Sequence, residues 1–251
     1  MIRALLWDVD GTLAETERDG HLLAFNRAFA ALELPWRWSS AYYGELLQVS
    51  GGYERLLQDL ARRADAPPGE QARAALARRI HTLKNELYAA IVGRGELPLR
   101  AGVAELMADC RGARLPMGIA TTTSRANVDA LLRCHLGESW RTQFAAVICA
   151  EEAPHKKPDP EVYRLALAAL AVPAAQAVTI EDAPAGVAAA RAVGIRVVVT
   201  RSHYFPEDGS AVLAAGPSLG SSHGWQPAAE PGASRIGLAQ IVRWHARYGW
   251  E

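Results

Sequence analysis

Four short segments carry residue types that could do chemistry, and each closes an apolar run. The first is Trp7-Asp8-Val9-Asp10-Gly11-Thr12. In extended backbone, residues two apart point to the same side, so Asp8 and Asp10 converge and Gly11 lets the chain turn away. Two carboxylates in one small space take different roles when their surroundings split their pKa values. A metal cation would keep one ionised as ligand and nucleophile, while the other is protonated to serve a leaving group. Taken alone, the pair could equally cap a strand-to-helix turn.

The second segment, Gly118 to Ser124, ends a strand in the hydroxyls of Thr121, Thr122 and Thr123, with a helix following at Asn127-Val128. Hydroxyls and successive backbone N–H groups at a helix start form a phosphate cradle, and Thr123 or Ser124 could also simply be an N-cap. The third is His155-Lys156-Lys157-Pro158-Asp159-Pro160. The proline biases Lys157 away from helix, so its side chain leaves a stiff loop and could neutralise a nucleophile and phosphoryl oxygens; a solvated basic loop is the plainer alternative. The fourth is Val178 to Gly186, where Glu181-Asp182 closes an apolar strand. Adjacent carboxylates suit a hard cation such as Mg2+, or Asp182 caps the helix that Pro184 starts. Each segment alone has a structural reading. All four, in this order at successive strand ends, point to one site built for a phosphoryl group and a hard cation rather than to four separate turns.

The elements that must position these residues are legible as runs. Ile2–Trp7, Met117–Thr121, Ala145–Ile148, Ala177–Ile180 and Arg196–Thr200 read as buried parallel strands. Helical spacing lies between them, in Val103/Leu106/Met107, Val128/Leu131/Leu132 and Val162/Leu165/Leu170. The expected fold is α/β, a Rossmann-like parallel sheet core with an inserted helical cap domain. The cap, residues 16–95, shows two amphipathic stripes, Leu22/Phe25/Phe29/Leu32 and Leu76/Ile80/Leu83/Leu87/Ile91. The core takes 1–15 and 96–251, with Gly93–Gly102 as a hinge. Gly216–Ser234 reads as an irregular loop and the stretch from Ile236 to Val242 as a closing helix.

Bulk properties narrow the class. With 27 Lys plus Arg against 27 Asp plus Glu, the formal charge is zero, so no global field gathers nucleic acid or an anionic membrane. Hydrophobic residues make up 50% of the 251, enough for a sizeable core, yet no run reaches the roughly 20 apolar residues of a membrane span. The N-terminal residues do not follow a signal-peptide pattern. Cys110, Cys134 and Cys149 are unpaired in spacing and read as free thiols in a cytoplasmic compartment. A monomer with a small-molecule substrate is the expectation.

The motifs Asp8-Val9-Asp10-Gly11-Thr12, Thr121, Lys157 and Glu181-Asp182 resemble the haloacid dehalogenase-like superfamily of phosphatases and phosphomutases. The resemblance covers nearly the whole chain and implies Asp8 as nucleophile and Asp10 as acid/base. It implies magnesium held by Asp8, the Asp10 backbone carbonyl and Asp182, with Glu181 nearby, and a phosphoryl group bound by Thr121 and Lys157. Ala14-Glu15-Thr16-Glu17, Tyr42–Leu47, Ser50-Gly51-Gly52-Tyr53-Glu54-Arg55 and Leu83–Tyr88 look like the CbbY-type subgroup, near the β-phosphoglucomutases. Those enzymes are phosphatases for xylulose-1,5-bisphosphate, and the resemblance implies substrate contacts at Glu17, Ser50, Gly51, Gly52, Arg55, His81 and Lys84. Arg55 could grip a distal phosphate as a bidentate fork. Arg18-Asp19-Gly20 is one residue longer than in the mutases. Trp36 and Tyr42 are read as cap core, and His21 as a packed or surface histidine rather than a catalyst.

Overall fold

The computed structural model describes residues 1–206 and 211–248. Its centre is a parallel sheet in the order β3-β2-β1-β4-β5-β6. The strands are β1 (Ala4–Trp7), β2 (Met117–Ala120), β3 (Ala146–Ile148), β4 (Ala177–Glu181), β5 (Arg196–Thr200) and β6 (Ala214–Gly216). Alternation along each strand feeds two apolar layers. Leu5, Trp7, Ile119, Ile180 and Val198 enter one, covered by α5 (Val103–Gly112), α6 (Arg125–Leu136) and α9 (Leu238–Arg247). Ala4, Leu6, Val197 and Val199 enter the other, covered by α7 (Glu161–Leu170) and α8 (Pro184–Ala192).

The five expected strands are present, with ends shifted by a residue or two. Strand β6 was not anticipated, because three small residues carry no β-forming signal. It is held by pairing to β5 and by Trp225, which packs so closely that a Cβ on Gly216 would lie 2.2 Å from the indole.

After β1 the chain leaves the sheet for α1 (Leu22–Ala31), α2 (Ser40–Leu46), α3 (Gly52–Arg62) and α4 (Glu70–Gly93), and no strand forms among them. Phe25, Phe29, Trp36, Trp38, Tyr43, Leu56 and Ile80 build a separate cluster here. Trp36 and Tyr42 belong to this packing, each donating to an aspartate, Asp65 at 2.7 Å and Asp59 at 2.6 Å. The stretch read as one residue longer forms a π-helical turn, Glu17–His21, running directly into α1; such turns absorb an extra residue and recur at functional sites.

Apolar packing does not divide at residue 95. The first half of α4 lies in the helical cluster, whereas Tyr88, Ile91 and Val92 lie in the sheet-side layer. Helix α4 therefore sits in both. Among the described residues no helix is long and apolar enough to cross a membrane.

Candidate active site

Register sets the site. Trp7 pairs with Ile119 on one side and Ile180 on the other, so Asp8, Thr121 and Glu181-Asp182 emerge together at the carboxyl edge of the sheet. Two hydrogen bonds carry that register past the strands, Asp8 N to Ile180 O and Thr121 N to Ile148 O, both 3.1 Å. In open α/β sheets this edge is where ligands bind.

Lys157 reaches the same point from the loop before α7. Its buried ammonium donates to Asp8 Oδ1 and Glu181 Oε1, both at 2.6 Å, and to Ala120 O at 3.0 Å. Those acceptors use all three of its protons. Burial opposes the charge, but Asp8 and Glu181 hold the Lys157 ammonium well above its ordinary pKa. Glu181 Oε1 also accepts from Tyr163 at 2.5 Å, so that oxygen serves a cation and a phenol.

Asp182 differs. Helix α8 is preceded by Ala183 with no side-chain cap, so Asp182 does not serve there, and its buried Oδ1 has no partner. Oxygens of Asp8, Glu181 and Asp182 all lie within 4.8 Å of one another. Burial first, then Glu181, pushes the Asp8 carboxyl up to about 7 against the pull of Lys157. Burial, Asp8 and Glu181 raise Asp182 well above the carboxylate range. Three buried carboxyls facing one ammonium, with an all-oxygen donor set and one orphaned oxygen, fit a hard divalent cation. Gly11 leaves the space this needs: at φ 81°, a Cβ there would lie 2.0 Å from Asp182 Oδ2.

The Asp10 carboxylate stands apart from that cluster and accepts from, or shares a proton with, His21 Nε2 at 3.1 Å. Burial raises its pKa, but the charge and hydrogen bond of His21 outweigh this and hold it below the usual carboxylate range. His21 is packed, as expected, at 4% exposed, and among the described residues its one side-chain hydrogen bond is to Asp10. A histidine eleven residues from its partner, across a turn, has no sequence signature.

On the hydroxyl side, Ser124 caps α6 by accepting from Asn127 N. Thr123 Oγ1 accepts from Asn127 Nδ2 at 2.9 Å, and Thr121 Oγ1 accepts from Thr123 N at 3.3 Å. Ser124 is thus the cap, and Thr121, Thr122 and Thr123 line the cavity.

The helical segment closes the other side of a cavity of about 220 Å³ lined by Glu17, Ser50, Gly51, Gly52, Arg55, His81 and Lys84 together with the strand-end residues. Arg55, expected to meet a distal phosphate, lines the cavity and is paired within it. Its guanidinium donates to Glu17 Oε1 at 2.9 Å and Oε2 at 3.2 Å, to Tyr43 at 3.0 Å and to Val49 O at 2.9 Å, so the fork faces Glu17. Tyr43 completes the group by donating to Glu17. Among the described residues Lys84 has no carboxylate at hydrogen-bond distance. It donates to Asn85 Oδ1 at 3.2 Å and lies over the Phe25 and Tyr88 rings, and burial lowers its pKa to about 8. Burial and then Lys84 bring His81 down to about 4. Two contacts join this segment to the lysine loop: Glu54 with Lys156 at 2.5 Å, and Ser50 Oγ donating to Lys157 O at 2.6 Å.

Tyr163, Tyr43, Lys156 and His21 were not among the expected site residues. Tyr163 had one usable signal, since a tyrosine on a buried helix face needs a partner for its hydroxyl.

A profile of haloacid dehalogenase-like hydrolases matches residues 2–194. The plasmid-encoded protein CbbY of Cupriavidus necator is 43% identical, over 97% of each chain. Protein CbbY of Cereibacter sphaeroides is 42% identical over 81% of this chain and 86% of its own. A crystal structure of a mutant CbbY from Rhodobacter sphaeroides in complex with xylulose-1,5-bisphosphate superposes with a TM-score of 0.83 at 37% identity, covering 96% of this chain and 99% of that one. A β-phosphoglucomutase from Clostridium difficile, 16% identical with a TM-score of 0.71, shares the fold.

Proposed function

The chain belongs to the haloacid dehalogenase-like hydrolases, and from that premise we propose that it is a phosphatase acting on a small sugar bisphosphate, with xylulose-1,5-bisphosphate as the leading substrate. The observation that supports this most directly is the contact of Lys157 Nζ with Asp8 Oδ1 at 2.6 Å. It fixes the position of a buried carboxyl that lines the cavity and sets a cation beside it.

Asp8 attacks phosphorus, the bond to the ester oxygen breaks, and an aspartyl-phosphate forms while that oxygen takes a proton from the Asp10–His21 pair. Water then attacks the phosphorus and releases phosphate, giving its proton to Asp10. His21 Nε2, 3.1 Å from Asp10 Oδ1, orients that carboxyl for both proton transfers. Lys157 and the Thr121 hydroxyl neutralise and orient the phosphoryl oxygens, which suits a reaction governed by positioning and charge. A covalent carboxylate route splits one hard displacement into two. Asp8 and Asp182, with the Asp10 carbonyl and Glu181 close by, would hold Mg2+, which when bound neutralises charge on the phosphoryl group.

Residues 16–95 act as the cap, presenting Lys84, His81 and the Gly51-Gly52 loop to the distal half of the substrate. Glu17, fixed by Arg55 and Tyr43, is an acceptor for sugar hydroxyls. Cys110, Cys134 and Cys149 are free, in keeping with a reducing compartment. The test is phosphate release from xylulose-1,5-bisphosphate and a panel of sugar phosphates, with and without magnesium, by the wild type and Asp8→Asn. Magnesium-dependent release lost in Asp8→Asn is expected. Isomerisation of a hexose 1-phosphate without net release would replace the phosphatase reading with a mutase one.

A further inference from the structure

The ring of Tyr88 lies against His21, with centroids 4.2 Å apart and planes 27° from parallel. Tyr88 is fully buried, and its hydroxyl has no hydrogen-bond partner. A buried tyrosine ordinarily pairs that hydroxyl, so here the ring carries whatever the residue contributes. Gly20 lets the ring approach: a Cβ there would lie 2.7 Å from Tyr88 Cε2. The π-helical turn Glu17–His21 presents Gly20 and His21 side by side to that ring. Among the described residues His21 Nδ1 is buried without a partner, so the imidazole makes one side-chain hydrogen bond, Nε2 to Asp10 Oδ1 at 3.1 Å, with the Tyr88 ring stacked on its face.

We propose that Tyr88 is a positioning residue for Asp10, acting through the stacked ring of His21. This rests on the reading of Asp10 as acid and base. An imidazole fixed by one hydrogen bond can still rotate about it, and a stacked ring removes that freedom, which is the role of supporting contacts in a precise site. Tyr88 also shares a helix face with His81 and Lys84, at spacings of three and four residues. One rigid helix thus carries the groups facing the distal end of the cavity and the group that orients the acid/base.

The step that expels the leaving group is read by kcat/KM, and only poor leaving groups need a proton. The experiment therefore measures kcat/KM for p-nitrophenyl phosphate, phenyl phosphate and a sugar phosphate with wild type, Tyr88→Phe and Tyr88→Leu. Tyr88→Phe keeps the stack and should stay within about twofold throughout. Tyr88→Leu should lose at least about tenfold on phenyl and sugar phosphates and far less on p-nitrophenyl phosphate, the signature of impaired acid catalysis. A loss uniform across leaving groups, no loss, or a Phe variant as impaired as Leu would overturn the proposal, since each describes a ring that only fills the core. If Tyr88→Leu does not fold, Gly20→Ala, which pushes the ring from its seat, must show the same selectivity or the idea fails. Asp10→Asn separates the two levels. If it lacks leaving-group selectivity, the reading of Asp10 is wrong; if it shows selectivity and the Tyr88 and Gly20 variants do not, the role of Tyr88 alone is wrong.

Discussion

Glu54 and Lys156 meet at 2.5 Å across the mouth of the cavity, one from the first turn of α3 and the other from the lysine loop of the sheet edge. The pair is part exposed, so it contributes little stability, on the order of 1 kcal/mol or less. Its consequence is for closure. Lys156→Gln should leave thermal unfolding nearly unchanged while raising KM severalfold, and the wild-type KM should rise with salt more steeply than that of the variant. Steady-state kinetics at low and high ionic strength check this.

Lys157 is a different case, because its partners Asp8 and Glu181 are both buried. Lys157→Met leaves two like charges without a counter-charge. The expected cost is roughly 3 kcal/mol or more of stability in denaturant unfolding of the metal-free protein. Turnover should fall at least about a hundredfold, the usual effect of losing a group that stabilises developing charge.

Lys84 gives a pH prediction. Its pKa is brought down to about 8, so the ammonium is charged below that pH and neutral above it. For a bisphosphate substrate, kcat/KM, which reports the free enzyme, should decline as pH rises through about 8. Lys84→Arg should retain activity beyond that point, because guanidinium stays charged. For a monophosphate substrate lacking the distal group, the decline should be absent.

Gly11→Ala joins two penalties, a left-handed backbone at φ 81° and a Cβ placed 2.0 Å from Asp182 Oδ2. The strain alone costs about 1 kcal/mol. The displaced carboxylate should abolish magnesium-induced stabilisation in a thermal shift assay, and Gly69→Ala, at φ 83° with no atom within 4 Å, is the control for strain without contact.

The placement of the strand-end residues was legible because it is encoded locally. Asp8, Thr121 and Asp182 each follow an apolar run, and a parallel register necessarily brings such positions to one edge. What the sequence does not carry is how side chains choose among neighbours. Glu181 reads as a metal ligand like Asp182, yet one of its oxygens goes to Lys157 and Tyr163. Arg55 reads as a phosphate fork, yet the fork faces Glu17. His21 and Tyr88 are sixty-seven positions apart, and only the packing of α4 against the π-helical turn brings them together. Strand β6 failed for another reason, since its pairing depends on Trp225 covering it and not on its own residues.

Helix α4 runs unbroken from Glu70 to Gly93, seated at its far end beside the sheet and carrying His81 and Lys84 on the span that overlooks the cavity. Its last turns, with Tyr88, Ile91 and Val92, pack in the sheet-side apolar layer, while His81 and Lys84 line the cavity. The turn of α4 that stacks on His21 therefore shares its anchorage with the strands that carry Asp8 and Asp182. Under the role proposed for Tyr88, Asp10 would be oriented from the same layer that fixes the sheet.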